Sequence, residues 1–67
     1  MMLKKRSFTL SGHRTSVALE AEFWAVLDDC AGREALSLAA LVAQIDASRG
    51  PRPLASALRL YALHMKQ

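Results

Sequence analysis

His13-Arg14-Thr15-Ser16-Val17-Ala18-Leu19 alternates polar and apolar residues, then passes without a turn signal into a helix-type pattern at Glu20. Period two reads as a strand with one buried face, and the longer period that follows reads as an amphipathic helix. A single strand feeding helices leaves its backbone donors and acceptors without an edge to pair with. In a chain of 67 residues the simplest remedy is a second copy of the strand from a second molecule. That reading gives a mainly α, two-fold protein with one β-strand per chain and a two-stranded ribbon on its surface.

The residues before the strand are harder to place. Phe8 and Leu10 alternate at even positions, whereas Thr15, Val17 and Leu19 continue at odd ones. A one-residue slip moves every side chain to the other face, so the chain must change course at Ser11-Gly12. A two-residue hairpin turn there would set Leu10 opposite His13 and Phe8 opposite Thr15. Alternatively, residues 1–12 form a basic arm leading through a bulge into a separate strand at His13. The arm is the preferred reading, with residues 13–67 as the folded domain. No internal repeat or low-complexity tract appears.

Beyond Glu20, Phe23, Val26, Leu27, Cys30 and Ala31 fall at the spacing of one helical stripe, with Trp24 at its rim. Glu20 and Glu22 occupy the first turn, where the helix dipole favours negative charge. The helix breaks near Gly32 to Leu36, and Ser37 reads as the N-cap of a second helix carrying Leu38, Leu41, Val42 and Ile45 on one face. Gly50-Pro51-Arg52-Pro53 ends it. A third helix over 54–66 follows, striped by Leu54, Leu58, Tyr61 and Met65.

A domain of this length buries only about 60% of its unfolded-chain surface. Small scaffolds therefore need disulfides, a metal or oligomerisation. Cys30 is the only cysteine, which excludes an internal disulfide and a cysteine cluster for zinc. Oligomerisation is what remains. A lone chain would expose Phe23, Leu27, Leu41 and Ile45, so an obligate dimer is expected. The basic start is not followed by an apolar signal core, and Leu36 to Ile45 is too short for a membrane span of roughly 18 residues. A soluble, cytoplasmic protein is expected.

The net charge of +3 is unevenly spread. Residues 1–19 hold Lys4, Lys5, Arg6 and Arg14 with no acid, whereas residues 20–34 hold five acids against Arg33. Residues 35–67 return to a net of +3. Such segregation suits a protein that presents one face to a polyanion. No catalytic set stands out: His13 and His64 have no partners at metal-ligand spacing, and there is no nucleophile elbow or phosphate-cradling glycine loop. Cys30 is spaced as a small core residue and His64 as a surface one. No enzyme, metal or cofactor is expected.

The strand is the candidate site. With Thr15, Val17 and Leu19 packed down, Arg14, Ser16 and Ala18 point outward. Arginine can bind guanine O6 and N7 bidentately, serine can bond several base edges, and alanine can touch a thymine methyl. A two-stranded ribbon also has the width to lie in the major groove.

The order strand, helix, Ser-capped helix resembles the ribbon-helix-helix (Arc/MetJ-like) family of DNA-binding repressors, and most closely a bacterial subgroup of it. The residues that carry the likeness are Gly12-His13-Arg14-Thr15-Ser16-Val17, Leu19-Glu20, Phe23-Trp24, Leu36-Ser37-Leu38, Leu41-Val42, Ile45-Asp46, Arg49-Gly50-Pro51-Arg52 and Ser56-Ala57-Leu58-Arg59. The resemblance implies an intertwined homodimer, a ribbon-helix-helix fold with an additional C-terminal helix, and a shared two-stranded antiparallel ribbon in the major groove of duplex DNA. By position it implies Arg14, Ser16 and Ala18 as base contacts, and Ser37 and Leu38 at a phosphate-holding helix N-terminus. Lys4, Lys5 and Arg6 on the arm are expected to add phosphate contacts. Two departures matter: Ala18 stands where many members carry a longer polar or basic side chain, and Ala35 stands where glycine is frequent in the inter-helix turn.

The leading expectation is a sequence-specific DNA-binding homodimer that represses transcription, with higher oligomers on DNA possible. The alternative is an antitoxin-like or other interaction module whose third helix, 54–66, docks on a protein partner.

Overall fold

The computed structural model describes residues 2–66. Two strands, β1 (Leu3–Leu10) and β2 (His13–Glu20), precede three helices, α1 (Ala21–Arg33), α2 (Leu38–Ser48) and α3 (Leu54–Lys66). The strands pair antiparallel within the one chain, from Leu3 opposite Glu20 to Leu10 opposite His13. The hairpin, not the arm, is therefore what residues 3–10 form, and the expectation of one β-strand per chain is corrected to two.

The turn explains the shift from even to odd positions. Ser11 and Gly12 both have positive φ, 51° and 79°. Two successive left-handed residues are what a type I′ turn requires, and such a turn matches the twist of the strands it joins. With two residues in the loop, even positions of β1 face odd positions of β2. Phe8, Leu10, Val17 and Leu19 then enter one core together.

That core closes within the single chain. Leu27, Leu41 and Ile45, which were expected to be exposed in a monomer, are 0%, 1% and 7% exposed, and Phe23 is half-buried. Phe8 and Leu10 cover them from the strand side, and Ala57, Leu58 and Ala62 of α3 do so from the helix side. The premise behind obligate dimerisation is thus removed, because β1 supplies the missing edge and α3 the missing cover. The buried face of α1 is Trp24, Leu27, Cys30 and Ala31. Trp24 lies inside the core rather than at the rim, because β1 packs on its side of the helix.

The junction between α1 and α2 is a Schellman turn. Leu36 N–H donates to Ala31 O at 2.9 Å and Ala35 N–H to Gly32 O at 3.2 Å, with Ala35 at φ 56°. The left-handed position falls on an alanine, which bears the steric cost that a glycine would avoid. Among the described residues, no helix is long and apolar enough to cross a membrane.

Candidate nucleic-acid interface

One face of the hairpin packs on the helices and the other is left to solvent. Alternation places Lys5, Ser7 and Thr9 of β1 on that outer face, opposite Ala18, Ser16 and Arg14 of β2. Lys5, Ser7, Thr9, Arg14 and Ser16 are exposed and Ala18 is half-buried. The Ser7 and Ser16 hydroxyl oxygens lie 3.0 Å apart at the centre of the face. The three residues expected to meet bases, Arg14, Ser16 and Ala18, are therefore brought onto one strand of one exposed surface. The pairing adds three neighbours from β1 that the arm reading had kept apart from them.

The face is electropositive for a simple reason. The hairpin has one acid, Glu20, and its Oε1 accepts from Arg59 Nε of α3 at 3.0 Å. Its own backbone N–H, and then Arg59, hold the Glu20 carboxyl below its usual range. Among the described residues, neither Lys5 nor Arg14 enters an ion pair.

The basic run at the start of the chain splits by strand parity. Lys5 points to the outer face, while Lys4 and Arg6 belong to the face turned toward the helices. Arg6 Nη1 donates to Asp28 Oδ1 at 3.0 Å, and its guanidinium sits 4.9 Å from the centre of the Trp24 ring. Trp24 Nε1 donates to the Lys4 carbonyl at 2.7 Å, and Phe8 lies 5.9 Å from Trp24 between ring centres. These contacts pin β1 to α1. A basic run at the head of a strand reads in sequence as a tail, and only the register shows which cation is spent on holding the hairpin.

At the other candidate position, Ser37 is exposed and its Oγ accepts from Ala40 N–H at 3.0 Å. Ser37 is thus the N-cap of α2, and the N–H groups of Leu38 and Ala39 precede the capped one at a helix start that carries no acid. Such an end attracts anions through its unpaired donors and the helix dipole. No group of three or more His, Cys, Asp or Glu residues that could hold a metal occurs among the described residues.

Comparison with protein families matches residues 3–65 to the model of the ribbon-helix-helix domain. The chain belongs to the ribbon-helix-helix family. Members of that family are generally DNA-binding transcription regulators or antitoxins. They are regulatory modules rather than enzymes, and they typically bind DNA as dimers. Comparisons with curated proteins and with solved structures gave no match. The matched span begins with β1 and ends in the last turn of α3, so the hairpin and all three helices lie within it.

Proposed function

We propose that this ribbon-helix-helix chain binds double-stranded DNA in a sequence-specific manner and represses transcription by occupying its operator. The observation that carries the reading is the outer face of the hairpin, exposed, free of unpaired acid and centred on Arg14 and Ser16. Two strands about 4.8 Å apart are narrow enough for the roughly 12 Å major groove. Arg14 then meets a guanine, Ser16 a base edge and Ala18 a thymine methyl. The capped start of α2, with Ser37 and the Leu38 N–H, holds a backbone phosphate. Lys4 and Lys5 add positive charge at the strand start, whereas Arg6 is committed to Asp28 and Trp24 and serves to hold the hairpin.

Dimerisation belongs to the same proposal. Two chains, each with its own hairpin, read half-sites about one helical turn, or 34 Å, apart. The test is selection of bound sequences from random duplex DNA, followed by affinity against salt. An enriched inverted motif, with affinity falling steeply as salt rises, is expected. Failure to enrich any motif would overturn sequence-specific binding. It would move weight to the alternative, a protein partner docked on α3, where Leu60, Leu63 and Met65 are exposed.

A further inference from the structure

The register sets two similar segments against each other in the hairpin. Lys4-Lys5-Arg6-Ser7-Phe8-Thr9-Leu10 matches His13-Arg14-Thr15-Ser16-Val17-Ala18-Leu19 at a constant offset of nine residues. At that offset Ser7 corresponds to Ser16, Leu10 to Leu19, Lys5 to Arg14 and Phe8 to Val17. The two copies run antiparallel, and the only equivalent residues that face each other are Ser7 and Ser16. A local two-fold axis therefore passes through that pair, where the hydroxyls are 3.0 Å apart. It exchanges the Lys5–Ala18 rung with the Arg14–Thr9 rung. On the inner face it carries Phe8 and Leu10 onto Val17 and Leu19, and all four are buried.

We infer that β1 is an internal stand-in for a second chain's β2, so that one chain carries a complete, quasi-symmetric ribbon. Lys5 is then the counterpart of Arg14 as a specificity-determining residue, not merely a source of charge. The two cations sit at opposite ends of the outer face, about 13 Å apart along the strands for four residues of extended chain. That spacing spans about four base pairs of duplex at roughly 3.4 Å each. Each chain accordingly favours a short element with a guanine near each end, on opposite DNA strands. The inference rests on the DNA-binding reading above, and adds that one chain fills one stretch of major groove.

The test uses the full chain with Ser7→Cys and Ser16→Cys, the pair whose side chains already meet. Oxidation should give a disulfide within one chain. Both forms lack the Ser16 hydroxyl and share the loss of its base contact, so the comparison is between them: the oxidised protein should bind a single-element duplex within about threefold of the reduced protein, a difference well under the tenfold that marks 1.4 kcal/mol. Disulfides between chains, or binding that returns only on reduction, would show that β1 must leave β2, and would overturn the inference while leaving DNA binding intact. In parallel, Lys5→Ala and Arg14→Ala should each erase base preference at one of two positions related by the local axis. If Lys5→Ala weakens all duplexes alike and leaves the motif unchanged, Lys5 is no reader and the inference fails. A wild-type chain that binds no duplex would overturn the DNA-binding reading itself, and the inference with it.

Discussion

Arg14 is the single side chain on which the functional reading bears most heavily. It is exposed on the outer face of β2, and its rung partner is Thr9. Arg14→Ala should cost on the order of 1–3 kcal/mol of specific affinity and relax the base preference at its position, while binding to unrelated duplex changes little. Competition assays with specific and random duplex measure this, and equal losses on both would assign Arg14 to phosphate. Glu20 gives a second residue-scale expectation. Its own backbone N–H and Arg59 depress its folded-state pKa. The stabilisation is therefore present above the ordinary carboxylate range and disappears as pH falls through the folded value. Melting temperatures followed from neutral to acid should show that loss, and the loss should be smaller in Arg59→Gln. An identical acid profile in that variant would remove the Glu20–Arg59 pair from the account.

At the scale of elements, two left-handed backbone positions can be tested against each other. Gly12 has φ 79° with open space around its α-carbon, so Gly12→Ala meets no clash with neighbours and only backbone strain. It should destabilise the hairpin by about 1 kcal/mol. Ala35 already bears that strain at φ 56°, so Ala35→Gly should raise stability by about 1 kcal/mol. Opposite signs in chemical denaturation are expected, and a stabilising Gly12→Ala would refute the type I′ turn. The start of α2 has its own test. Ser37→Ala removes the hydroxyl that accepts from Ala40 N–H, with a cost of about 1 kcal/mol in stability. It should also lower affinity for specific and unrelated duplexes by the same factor. Loss confined to one operator would contradict a phosphate role.

For the whole molecule, the decisive fact is that one chain closes its own core. Leu58 of α3 is fully buried in the core, and α3 packs on β2, α1 and α2. Leu58→Ala should cost about 2–5 kcal/mol. For a domain of this length the total stability is about 3–10 kcal/mol, so the variant should be partly or wholly unfolded at 37 °C by circular dichroism. A native-like melting curve would mean that α3 is peripheral. The third helix is thus part of the fold, and any partner must use its outer side, where Leu60 and Leu63 lie.

The sequence by itself determined the three helices, the Ser37 cap, the breaks near Gly32 and Gly50, and the strand at His13. Each of these is a local signal written within a few residues. It also pointed to Arg14, Ser16 and Ala18 as one face, because alternation alone divides a strand. What it left open was whether residues 3–10 were an arm or a strand. Both readings satisfied the local pattern, and pairing energy depends on which edge is near. Tertiary structure decided that Ser11-Gly12 closes a hairpin, that Arg6 stacks on a buried Trp24 while Lys5 faces outward, and that Ala35 takes the left-handed turn. It decided these because register, burial and ion pairing depend on residues far apart in sequence: Arg6 and Asp28 are 22 positions apart, and Glu20 and Arg59 are 39 apart. Their proximity exists only once the chain has closed on itself.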